Sequence, residues 1–165
     1  MTRWFGSPSG LARDGPPGRL GYNGAMPRYE ILPHPADGKF RAYGRTLAEA
    51  FENAALATAS LMWDWTTVQP RIAVSVRVSG QDREQLLVKF LNELVYLFET
   101  RDFVLAAAED VRIATRDGAW TLEAVFRGDD LAAGYEVYGL VKAATYNEME
   151  IAENGGFVLQ VVVDM

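Results

Sequence analysis

Apolar Ile72, Val74, Val76 and Val78 alternate with Arg71, Ser75, Arg77 and Ser79, the period of a strand buried on one face, and Gly80 closes it. A different period governs residues 46–62. Thr46 and Glu49 form a Ser/Thr-x-x-Glu capping box, after which Leu47, Ala50, Phe51, Ala54, Thr58, Leu61 and Met62 recur on one side of a helix. Asp82 caps a second helix with Gln85 at its third position. Its Leu86, Leu87, Phe90, Leu91, Leu94, Leu97 and Phe98 make a wide apolar stripe, which marks it as the central packing element. From about residue 103 the period of two returns through Val111, Ile113 and Thr115, then Trp120, Leu122, Ala124 and Phe126. Asp117-Gly118 between those runs predicts a tight type I′ hairpin, because both turn positions need positive φ.

Towards the ends the pattern is more broken. Tyr29–Leu32 and Lys39–Tyr43 read as short strands around a Pro33–Gly38 loop whose prolines forbid helix. Residues 137–152 read as one long strand, or a strand with a bulge, in which Val141, Ala143 and Thr145 alternate imperfectly. Asn154-Gly155-Gly156 supplies a turn, and Phe157 to Val163 is apolar on both sides, as expected of a central strand covered on both faces. The order of elements indicates an α+β fold of two amphipathic helices packed on mixed, largely antiparallel β-sheets. Residues 1–25, rich in Gly, Pro, Ser and Arg, read as a flexible leader or as the product of a start assigned upstream of Met26. Residues 26–165 then form one domain.

Composition narrows the chemistry. Of 165 residues 49% are hydrophobic and 12% aromatic, enough for a core without staples. The chain has no cysteine, which removes disulfides, thiolate metal sites and cysteine nucleophiles together and suits a cytoplasmic protein. Sixteen Lys and Arg against twenty-two Asp and Glu give a formal charge of −6, so the average field repels phosphates and no stable direct binding to nucleic acid is expected. No apolar run approaches the roughly 20 residues needed to span a bilayer. With one histidine, no Ser-His-Asp set or metal-binding His pair can be assembled, and no Gly-rich phosphate loop is present. No catalytic residue is expected. Trp63, Trp65 and Trp120 suit either a platform for a base or the roof of a core. Asp129-Asp130 and the Glu148, Glu150, Glu153 set read as solvated acidic faces.

Two positions stand apart. Asp164 lies next to the terminal carboxylate of Met165, on a strand too apolar to fray, and two anionic groups there either point into water or share a cation. If Asp37 of the His34-Pro35-Ala36-Asp37 loop folds against this terminus, three hard oxygen donors converge, which suits Ca²⁺, Mg²⁺ or Mn²⁺. Otherwise Asp37 caps a turn and Asp164 is a solvated chain end.

The run Tyr29-Glu30-Ile31-Leu32-Pro33-His34-Pro35-Ala36-Asp37, then Leu91-Asn92-Glu93-Leu94, Lys142-Ala143-Ala144-Thr145-Tyr146 and Val163-Asp164-Met165, resembles the archease family in the same order over about residues 28–165. Pro35 stands where that family usually has Thr, and Asn147 follows Tyr146 where a histidine often stands. The resemblance implies a non-enzymatic helper of the RNA-splicing ligase, promoting ligase guanylylation and repeated turnover in tRNA splicing or RNA repair. It also implies that Asp37 and Asp164 bind a divalent metal with the C-terminal group of Met165, and that Lys142 and His34 are neighbours with roles towards the partner. Two rival classes remain: a chaperone-like modulator of a tRNA methyltransferase or similar RNA-processing enzyme, and, ranked last, a metal-dependent hydrolase.

Overall fold

The computed structural model describes residues 26–165, so the leader expected over 1–25 lies outside the described residues. Its strands fall into two sheets in which every paired neighbour is antiparallel. In the five-stranded sheet β1 (Tyr29–Leu32) pairs with β2 (Gly38–Gly44), and β2 pairs with the last strand, β8 (Phe157–Asp164). On its other edge β8 pairs with β6 (Ala143–Ala144) and β7 (Glu150–Glu153). The three-stranded sheet runs β3 (Ile72–Gly80), β5 (Ala119–Asp130), β4 (Phe103–Arg116). The β4–β5 turn has φ of 54° at Asp117 and 79° at Gly118, as a type I′ hairpin requires.

Helix α1 (Leu47–Ser60) starts as its capping sequence dictates, with Thr46 Oγ1 accepting from Glu49 N at 3.1 Å. Helix α2 (Arg83–Arg101) starts the same way, Asp82 Oδ1 accepting from Gln85 N at 2.7 Å. Each helix touches both sheets. The single apolar face expected of α1 is therefore too narrow a description: Asn53, Ala55, Leu56, Ala57 and Ala59 are buried as well. Alanines that look neutral to a periodicity argument let a second sheet approach, so α1 shares the centre that the sequence assigned to α2. Phe90 lies between Phe51 and Phe126 with ring centroids 5.7 and 5.3 Å away, each buried ring contributing about 1.5–3 kcal/mol.

Two strand expectations are corrected. Residues 137–152 form neither a long strand nor a bulged one, but two short strands, β6 and β7, separated by a turn in which Glu148 has φ of 52°. Thr145 anchors that turn, its Oγ1 donating to Val162 O at 2.7 Å and accepting from Asn147 N at 3.2 Å. Strand β8 is central by pairing, yet its outer face carries half-buried Gln160, whose Oε1 accepts from Arg41 Nε at 3.1 Å. The inner face, with Leu159, Val161 and Val163, is fully buried.

Candidate functional site

Gly38 pairs with Val163, the last registered pair of β2 and β8. Asp37 precedes the one and Asp164 follows the other, so the loop carboxylate and the terminal one stand at the same open end of the β2–β8 ladder. Side chains alternate along β8, which sets Asp164 on the outer face with Val162 and Gln160 and opposite the row of Lys39 and Arg41. Met165 turns the other way. A Cβ added at Gly38 would stand 2.8 Å from Leu61 Cδ1, 2.9 Å from Val163 Cγ2 and 3.1 Å from Met165 Sδ, so glycine is what lets the final residue lie against β2. The chain end is held from the far side as well, Lys142 N donating to Asp164 O at 2.7 Å.

The Asp37 loop is fixed by its own residues and by a distant one. Ala36 adopts φ of 63°, a left-handed conformation that costs an L-residue about 1–2 kcal/mol and persists only where surroundings enforce it. His34 Nε2 donates to Glu148 Oε2 at 3.1 Å, while Lys39 Nζ donates to Glu148 Oε1 at 2.8 Å. Gln160 Nε2 donates to the Glu148 carbonyl at 2.9 Å, holding the turn to β8. The Lys39 hydrogen bond first, then that of His34, keeps the Glu148 carboxyl below the ordinary carboxylate range. His34 Nδ1 is buried without a hydrogen-bond partner, 3.9 Å from Asp37 Oδ2.

Asp37, Asp164 and Met165 are thus gathered at one strand end, with His34 beside Asp37. Lys142 arrives from the opposite edge of β8. The cation that shares a partner with His34 is Lys39. The His34 hydrogen bond leaves its own loop and reaches the turn between β6 and β7. Glu148, read from sequence as part of a solvated face, is where the loop is tied. Only the alternation of β2, which puts Lys39 on the polar side, hinted at an anionic partner there.

Among the described residues no group of three or more His, Cys, Asp or Glu side chains is disposed to hold a metal ion. The set at the terminus differs in kind, because one of its three carboxylates belongs to the main chain. Asp37 and Asp164 stand at one end of the ladder, and hard carboxylate oxygens are the type of donor that fits a divalent cation. Elsewhere, a depression of about 410 Å³ on the three-stranded sheet lies among Arg77, Asp110, Arg112 and Glu123, whose mixed signs select no charge class. Trp63 is fully buried with its Nε1 donating to Leu105 O at 3.0 Å, and Trp65 Nε1 donates to Tyr29 Oη at 2.8 Å, so these rings serve the core and its edge.

Residues 29–165 match the sequence profile of the Archease protein family. Protein archease of Methanosarcina acetivorans is 39% identical over 140 residues, covering 84% of this chain and 96% of that protein. Protein archease of Methanothermobacter thermautotrophicus is 34% identical over 141 residues, covering 85% of this chain and all of that one. Among solved structures, Methanobacterium thermoautotrophicum protein 1598 superposes with a TM-score of 0.72 at 33% identity, covering 84% of this chain and 99% of that chain. A Thermotoga maritima structure described as an archease and possible chaperone gives a TM-score of 0.54 at 16% identity, over 82% of this chain and 96% of that chain, and shares the fold.

Proposed function

The chain belongs to the archease family, and on that premise we propose that it is a non-enzymatic, metal-binding accessory protein of the RNA-splicing ligase, acting in the cytoplasm to promote ligase guanylylation and multiple turnover in tRNA splicing or RNA repair. The observation that carries this reading is the register: Asp37 and Asp164 flank the Gly38–Val163 pair, next to the terminal carboxylate of Met165.

Asp37, Asp164 and the Met165 carboxylate would hold a divalent ion, Ca²⁺, Mg²⁺ or Mn²⁺, which when bound supplies positive charge to phosphate oxygens in the partner's site. The protein's own residues set the stage. Gly38 admits Met165 to the ladder, and the Glu148 tie keeps the Asp37 loop from swinging into solvent. Exposed Lys142 is free, among the described residues, to reach an acidic or phosphate-bearing partner surface. Around this end Tyr138, Leu140 and Tyr146 are 60%, 59% and 55% exposed, and exposed aromatic and aliphatic groups of this kind favour docking onto a protein rather than onto RNA. With a net charge of −6, RNA and nucleotide are left to the ligase.

The test is to make Asp37→Ala and Asp164→Ala, confirm folding by circular dichroism, and assay ligase turnover with GTP present. Loss of stimulation is expected. Undiminished stimulation sinks the reading. The same exposed rim favours a second one, a chaperone-like modulator of a tRNA methyltransferase or another RNA-processing enzyme that works through surface shape. The carboxylate variants would then stay active while Tyr138→Ser with Leu140→Ser would not.

A further inference from the structure

We infer that the outer edge of β3 is a docking edge, which takes an extended segment of a partner protein, one alternating acidic with small apolar residues, as an added strand. This goes beyond the metal reading above and does not depend on it.

A strand edge presents a row of unpaired N–H and C=O groups, and folded proteins blunt such edges with short strands, bulges, prolines or covering elements. Every other sheet edge among the described residues is blunted. Strands β1 and β7 have 4 residues each, and β6 has 2, with Asn92 Oδ1 accepting from Ala144 N at 2.8 Å. The β4 edge is broken by two register shifts and by Asp110 at φ of 53°, and Trp63 Nε1 donates to its Leu105 carbonyl at 3.0 Å. Strand β3 has none of these devices. Its 9 residues run in unbroken register from Ile72 opposite Gly128 to Gly80 opposite Trp120, contain no proline, and pair on one side only. Alternate residues along it therefore aim their backbone N–H and C=O groups away from β5.

The side chains select the occupant. On the inner face Val74 and Val78 are half-buried either side of buried Val76, and Ile72 is exposed, so the apolar row is left incompletely covered. On the outer face Ala73, Ser75 and Ser79 are small, and the charged groups are Arg77 and, just before the strand, Arg71, whose side chains are 77% and 63% exposed. Unlike the depression beside it, this edge carries one sign. Arg71 gives one nitrogen to Asp129 at 2.7 Å, and Arg77 stands 3.4 Å from Glu123 in a pair exposed enough to hold it weakly, so both guanidiniums keep donors for carboxylates on an added strand. Residues 1–25, with three Arg and one Asp, have the wrong sign for that place. A second copy of the chain has the wrong shape. Pairing two β3 strands would set them about 4.8 Å apart, yet α2 packs more on β3 than on β4 or β5, and two such helices side by side need about 8–10 Å. A lone extended segment brings no helix with it.

The test titrates two capped peptides of the 9-residue length of β3, one alternating Glu with Val and one alternating Lys with Val, into the ¹⁵N-labelled full chain while hydrogen exchange is read at each β3 amide. The Glu/Val peptide should slow exchange at alternate β3 amides by about 10-fold or more, and its affinity should fall as salt rises. The Lys/Val peptide should bind about 10-fold more weakly or not at all. Arg77→Ser, at an exposed position, should fold normally and lose several-fold in affinity for the Glu/Val peptide. The inference is overturned if neither peptide protects β3, if the two bind alike, or if the outward amides of β3 are already protected before any peptide is added.

Discussion

Asp37 and Asp164 are the residues that continue the β2–β8 register one step beyond Gly38 and Val163, the one from a proline-bounded loop and the other from the penultimate position of the chain. Neither segment alone makes a site. Their placement at one end of the ladder depends on β8 being the middle strand of its sheet, paired along both edges.

Removal of either carboxylate should act through the cation and not through the fold. Without divalent metal, Asp37→Ala or Asp164→Ala should melt within about 0.5 kcal/mol of the wild type, as substitutions away from the core usually do. With Mn²⁺ at a hundred times its dissociation constant, the wild type should gain about 2.7 kcal/mol and the variants essentially none. Differential scanning calorimetry at matched protein concentration reads both arms.

Gly38 offers a test of the terminus without touching a ligand. Gly38→Ala forces its Cβ against Leu61 Cδ1 at 2.8 Å and Met165 Sδ at 3.1 Å, and Met165 is the more exposed of the groups in the way. Overpacking of this kind costs about 1–3 kcal/mol. Metal affinity, followed by calorimetric titration, should fall at least several-fold even where the domain is fully folded, because the displaced residue carries the terminal carboxylate.

The last residue also predicts a length effect. One glycine appended after Met165 moves the free carboxylate a residue away while leaving every side chain in place. The extended chain should fold and melt normally, yet bind Mn²⁺ more weakly and stimulate the ligase less. Equal affinity in the two chains would remove the terminal carboxylate from the site.

Acid stability has a separate source at Asp129. The Tyr135 hydroxyl at 2.8 Å, then the Asp130 N–H at 2.9 Å, then Arg71 at 2.7 Å hold its carboxyl below its ordinary value of 3.8. A carboxyl depressed in the folded state stabilises above its unfolded pKa, and that contribution is lost as pH falls through the folded value. Tyr135→Phe should therefore be less stable than the wild type at neutral pH. The gap should narrow as pH falls below 3.8, as urea melts across that range would show.

The sequence carried most of this architecture wherever local chemistry decides it. Thr46 and Asp82 caps, the Asp117-Gly118 turn and the alternation of Val74, Val76 and Val78 are short-range signals, and each appears in the structure as its residues require, whereas Ile72, expected on the same buried face, is 38% exposed at the head of its strand. What stayed hidden is long-range. No periodicity shows that Ala55, Ala57 and Ala59 are buried, since alanine suits a buried face and an exposed one equally. Nor does spacing reveal that Glu148, 114 residues from His34, anchors the loop of the candidate site. That contact depends on the turn between β6 and β7, in which a residue with a side chain adopts a conformation more natural to glycine. Asp37 and Asp164 stood out because carboxylates are out of place at a proline loop and an apolar chain end, whereas Lys39 and Glu148 look like ordinary surface residues until the strands are paired.

The central claim is that the loop carboxylate and the chain terminus share one cation, and the most direct test is a Mn²⁺ titration followed by electron paramagnetic resonance of the free ion. The wild type should remove one equivalent of Mn²⁺ per chain, and the Asp37→Ala, Asp164→Ala double variant none at the same concentrations. A double variant that takes up Mn²⁺ as the wild type does, or a wild type that takes up none, contradicts the account.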